Sequence, residues 1–260
     1  MMSRSRYLLL IPVLALAACK GGQNQAAAPA ADNKAAQQTA QSPVDPATAG
    51  SISGTVKFTG AAPKMPKINM SADAYCKTQH TTDVFSPEVV VNPNNTLKWV
   101  YVYVKSGLPA DMKFPAPTTA AVFDQNGCMY NPHVLAVQAG QQITIRNSDG
   151  VLHNIDVRPA ANQGFNVGQP VKGMETQKSF TTPEVMIPVK CDVHPWMAAF
   201  IGVQNHPYAA VTDDNGAFSL ANLPPGTYTL EAWHEKYGTA TQEVTVGPKE
   251  TKTVEFEFKG

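Results

Sequence analysis

The sequence has no block of basic residues, little charge of either sign and no sustained helical pattern. Charged residues make up 15% of the 260, and the formal net charge is zero. Neutralising a nucleic-acid backbone takes clustered Lys and Arg, so no nucleic-acid partner is expected. Apolar residues at helical spacing persist for no more than one or two turns, the best case lying near residues 71–76. Residues 20–50 contain no Trp, Tyr, Phe, Ile or Leu and are rich in Ala, Gln, Pro and Gly. Such a segment cannot bury enough apolar surface to order itself. It is expected to be a disordered tether, reaching about 30 Å as a flexible coil. Cysteine is scarce: Cys19, Cys76, Cys128 and Cys191.

What is present from residue 51 onward is almost all strand-like. "SISGTVKF" alternates, "TLKWVYVYVK" is β-branched and aromatic, and "VLAVQAGQQITIRNSD" reads as two strands joined at Ala-Gly. "HNIDVRP", "EVMIPVKC", "AAFIGVQ", "AFSLANL", "GTYTLEAWH", "TQEVTV" and "KTVEFEF" follow, punctuated by "GLP", "QNG", "DDNG", "LPPG" and "VGPK". Many short strands between Gly and Pro turns predict an all-β fold of two sandwiches. No flexible linker separates them at "FIGVQNHPYAAV", so they are expected to move as one body.

The N-terminus reads as a targeting segment. A short basic run, "MMSRSR", precedes the twelve apolar residues of "YLLLIPVLALAA" and then Cys19. Twelve residues are too few for a permanent spanning helix. "LAAC" resembles the bacterial lipobox, which implies cleavage before Cys19 and lipidation of its thiol. A lipoprotein signal peptide over 1–19, and a periplasmic body anchored to a membrane, the outer one in particular, are therefore expected.

The chemistry concentrates in residues 189–198, "VKCDVHPWMA". Cys191, His194 and Met197 stand three apart on one loop, with Pro195 and Trp196 between the last two. A thiolate, imidazoles and a thioether are the donors of a mononuclear copper electron-transfer site, in a His₂Cys set with a distant Met. A second imidazole is needed, and His153, 38 residues before Cys191 and just after a strand and a polar turn, is the candidate. Asn154 beside it can hydrogen-bond to the Cys191 loop from behind the ligands. Zinc would favour a carboxylate or second thiolate over Met, and a thiol nucleophile would need an orienting group that is not evident. Trp196 and Pro195 offer either packing or an apolar docking face for a partner.

"HN" followed some forty residues later by "CDVHPWM" resembles the cupredoxins, and among them the short-looped amicyanins, over about residues 120–204. The resemblance implies a Greek-key sandwich, one type 1 copper per chain on His153, Cys191, His194 and Met197, and electron transfer through an exposed edge of His194. With Cys191 so engaged, Cys76 and Cys128 are expected to form a disulfide in an oxidising compartment. The alternative is a second metal site from Cys76, His80, Cys128 and His133.

"TDDNGAFSL", "LPPGTYTL", "TQEVTVG" and "TKTVEFEF" resemble the carboxypeptidase regulatory-like domain, a transthyretin-like sandwich with no implied catalysis. Its opening strands match "SISGTVKFTG" and "WVYVYV", far upstream, so the second sandwich is expected to be discontinuous, 51–119 plus 205–260, with the cupredoxin inserted at 120–204. The whole implies a non-enzymatic carrier of single electrons between a redox protein donor and acceptor. The rivals are a copper chaperone or buffer, and a structural lipoprotein with a vestigial copper site.

Overall fold

The computed structural model describes residues 43–260; the leader 1–19, Cys19 and most of the expected tether lie outside the described residues. The chain opens with β1 (Gly50–Thr59), a short helix α1 (Ala74–Thr78) and β2 (Tyr101–Ser106). Nine strands follow: β3 (Ala121–Gln125), β4 (Tyr130–Asn131), β5 (Val134–Gln138), β6 (Ile143–Asn147), β7 (His153–Val157), β8 (Phe165–Gln169), β9 (Glu175–Lys178), β10 (Glu184–Lys190) and β11 (Ala198–Gln204). The last five are β12 (Ala209–Val211), β13 (Ala217–Leu223), β14 (Gly226–His234), β15 (Gly238–Val246) and β16 (Thr251–Lys259).

The described chain is all-β, with four sheets ordered β13-β1-β16, β12-β2-β14-β15, β5-β11-β10-β7-β8 and β4-β3-β6-β9. The first two are built from both ends of the chain. β1 lies between β13, antiparallel, and β16, parallel over nine residue pairs. Alternation sets their inner face: Ile52, Val56 and Phe58 from β1 and Val254, Phe256 and Phe258 from β16 point into one core with Val102, Leu220 and Leu230. The other two sheets enclose a second core of Phe123, Ile143, Ile145, Ile155, Ile187, Val189 and Ile201. The two strands read from "VLAVQAGQQITIRNSD" do not pair with each other. β5 pairs with β11 and β6 with β3, both in parallel, so the turn at Gly140 carries the chain from one sheet to the other.

A third cluster joins the two bodies: Tyr101, Tyr103, Val134 and Met186, with Trp99, Phe200 and Trp233 packed on it. Gly202 permits the contact. A Cβ there would sit 2.5 Å from the Tyr101 ring and 2.4 Å from the Met186 methyl.

One boundary is corrected. Residues 43–50, assigned above to the disordered tether, belong to the folded body. Val44 is buried, Asp45 caps a turn by accepting from Ala47 N, and Lys249 donates its backbone N–H to Thr48 and its Nζ to the Pro46 carbonyl. Composition hid this because the contacts are made by backbone and by a far part of the chain. Gly50 already lies in β1, where a Cβ would come within 2.7 Å of the Glu250 carbonyl.

Candidate metal centre

β7, β10 and the β10–β11 loop meet at one end of the second core. β10 pairs with β7 next to the loop, Lys190 opposite Asp156, and with β11 beyond it, Lys190 opposite Ala198. This register sets the base of the loop beside the start of β7, where His153 sits. The loop closes on itself: Cys191 N–H donates to Met197 O (3.1 Å) and Met197 N–H to His194 O (2.9 Å). Pro195 at its turn withholds an N–H that would otherwise need a partner.

Cys191, His194 and His153 come together, buried, with their donor atoms all within 4.8 Å of one another. His153 Nδ1 and His194 Nδ1 face each other at 2.9 Å. The Cys191 sulfur lies 3.9 Å from His194 Nδ1 and accepts the His194 backbone N–H at 3.4 Å. Met197 is fully buried in the same core cluster as Cys191. Cys191 is the only free thiol among the described residues.

Asn154 ties the loop to β7. Its Oδ1 accepts from Asp192 N (2.6 Å) and from the Cys191 thiol (3.3 Å), and its Nδ2 donates to Asp192 Oδ2 (3.0 Å). Burial pushes the Cys191 thiol pKa up, but His153 and backbone N–H groups outweigh it and bring it below the ordinary value. Burial likewise opposes charge on His153, yet Asp149 and the Cys191 sulfur raise its pKa overall. The thiol is thus held toward its thiolate, the form that binds metal.

Two acids that sequence reasoning missed complete the setting. Asp149 Oδ2 lies 2.9 Å from His153 Nε2, and its carboxylate also accepts from Gly127 N and Cys128 N. Asp73, the N-cap of α1, reaches His194 Nε2 with Oδ2 at 3.2 Å. The position of Asp149, four residues before His153 in the polar turn, was the one available signal. Each histidine therefore gives its outer nitrogen to a carboxylate, an acceptor with no proton of its own when ionised. That turns the two Nδ1 atoms toward each other beside the polarised thiol, with one proton between them. Only a cation or a shared proton satisfies such an arrangement, so the donor set fits a soft-to-borderline metal ion.

The expected exposed edge of His194 is not found. His194 is 2% exposed, because α1 and Asp73 cover its outer nitrogen. Trp196 is half-buried, its ring 5.0 Å from that of His194, and its Nε1 donates to Cys128 O. Pro195 is exposed, as is Val193 at 45%. Cys76 and Cys128 form a disulfide. This rules out the second metal site considered for them: His80 instead faces Gly127 O, and His133 lies between Ala198 O and Glu235.

The carboxypeptidase regulatory-like domain family matches residues 195–259. No curated protein matches the chain. Among solved structures, the chain is similar to a purple cupredoxin from Nitrosopumilus maritimus, at 22% identity over 32% of this chain and 99% of that one, with a TM-score of 0.28. A Cu-containing nitrite reductase from Thermus scotoductus SA-01 is 19% identical over 44% of this chain and 27% of that one, with a TM-score of 0.31. A Cu(I) form of an amicyanin variant is 20% identical over 40% and 98%, with a TM-score of 0.30. The described chain is all-β, its residues 195–259 match the regulatory-like family, and cupredoxins are among its structural neighbours.

Proposed function

We propose that this chain is a mononuclear copper protein that passes single electrons between redox partners, held at a bacterial membrane in the periplasm by a lipid on Cys19. The observation that carries the copper reading is the pair of opposed Nδ1 atoms, 2.9 Å apart, beside the buried Cys191 sulfur. His153, Cys191, His194 and Met197 would hold the ion. Copper bound there supplies one-electron chemistry by alternating between Cu(II) and Cu(I).

The chain's own residues supply the rest. Asn154 and the closed 191–197 loop fix the sulfur, Asp149 and Asp73 fix the rings, and burial keeps water away. The exposed Pro195 and half-buried Trp196 are the proposed contacts for a redox protein partner. Electrons leave through the cover over His194 rather than from a bare ring edge.

Metal analysis and a visible spectrum of the recombinant chain test this. One copper per chain and an intense thiolate-to-Cu(II) band are expected, and Cys191→Ser should abolish the band. A band that survives Cys191→Ser would overturn the site. Copper(I) that exchanges freely, with no colour on oxidation, would replace the electron carrier with a copper chaperone.

A further inference from the structure

The segment that covers His194 is unlike a passive cap. α1 is five residues long, too short to hold a helical shape unaided. Two anchors hold it. Asp73 Oδ1 accepts from Tyr75 N (2.8 Å) and Cys76 N (3.0 Å), and Cys76 is bonded to Cys128. The two sulfurs stand next to the two carboxylate–imidazole pairs. Cys76 Sγ lies 3.5 Å from His194 Nε2, and the Cys128 N–H donates to Asp149, which holds His153. With Oδ1 engaged in capping, Oδ2 of Asp73 is left for His194.

An imidazole buried with no partner on its outer nitrogen could place its proton on either nitrogen, and only the Nε2–H tautomer offers Nδ1 to a metal. A carboxylate at Nε2 selects that tautomer. Partners of this kind fix ring orientation as well, and their loss typically weakens metal affinity by about 10- to 100-fold.

We propose that Asp73 is a positioning residue for His194, holding it as the Nε2–H tautomer with Nδ1 aimed at the metal point, and that the Cys76–Cys128 disulfide keeps Asp73 in place. This rests on the copper reading for its purpose, but the tautomer is measurable in the metal-free chain.

The test separates capping from positioning. Asp73→Ser retains an N-cap oxygen but cannot also reach His194, whereas Asp73→Asn keeps the cap on Oδ1 and turns an amide donor, not an acceptor, toward Nε2. In long-range proton–nitrogen spectra of the metal-free full chain, His194 should be the Nε2–H tautomer in the wild type and should shift toward Nδ1–H in Asp73→Asn. Asp73→Ser and the double variant Cys76→Ala/Cys128→Ala should both lose that preference, while the amide signals of residues 74–78 in Asp73→Ser still report a helical turn. Copper(I) competition against a coloured chelator should show affinity weakened at least tenfold in all three variants. An Asp73→Ser chain with the wild-type tautomer and affinity would overturn the positioning role, and a double variant with both intact would overturn the anchor. Failure of the copper reading would show separately, as a wild-type chain that takes up no copper whatever its tautomer.

Discussion

Asn154 shows how much one side chain can set. Its carbonyl oxygen takes the Asp192 N–H and the Cys191 thiol together, so the loop bearing three of the four candidate donors is tied to the strand bearing the fourth. Asn154→Ala removes both contacts and leaves the Asp192 N–H without its partner. It should lower stability by about 1–3 kcal/mol in urea unfolding and speed copper loss to a chelator. Met197→Gln should retain copper and shift its potential in voltammetry, because a weak axial donor tunes that potential; an unchanged potential would remove Met197 from the axial position. His234 makes a separate point. Burial, helped by His133 and Lys236, lowers its pKa to about 4. The folded value lies below the unfolded one, so the folded state binds fewer protons. Stability is full above pH 6.5 and falls as pH drops toward 4. The loss should be about 2–3 kcal/mol. His234→Asn keeps an acceptor for the Lys236 N–H and should show a shallower slope in metal-free denaturation curves. At this scale the sequence offered the three candidate donors of the loop through their spacing, because loop residues three apart are local. It hid Asp73, which meets His194 across 121 residues.

Among the elements, those missed in the sequence have a common physical character. β4, β8, β9 and β12 are edge or near-terminal strands of their sheets, short or polar, such as "ETQK" in β9. An edge strand with one face to solvent needs few apolar residues, so alternation has little to write with. β3 is interior but carries just one strong core marker, Phe123, beside the exposed Val122. Among the strands that were legible, β1 and β16 are long and alternate, and β2 and β14 are buried over most of their length. β11 adds a constraint that no pattern reveals: it must lie flat against Tyr101 of β2. Gly202→Ala should force the ring aside and lower the unfolding midpoint by about 1–3 kcal/mol in free energy, with the visible band of the copper-loaded chain unchanged. A stability equal to wild type would show that this junction yields easily.

At the level of the whole molecule, the Tyr101 cluster and the His133–Glu235 contact join the sheets that hold β1, β2 and β14 to the strands around the candidate metal centre. One cooperative unfolding transition is therefore expected, with tryptophan fluorescence and the visible band lost together. Two separated midpoints would mean that the junction is weaker than its burial suggests. That β1 pairs with β16 could not be read from the chain, since both strands simply alternate and alternation does not name a partner. This pairing also orders events in time. A chain that emerges N-terminus first into the compartment where it folds has, as far as β12, made neither neighbour of β1, and the first strand must wait, one apolar face uncovered, until most of the chain has arrived. The sheets around the candidate metal centre, by contrast, are complete once β11 emerges, so the ion's pocket can form while the body that braces it is still unfinished.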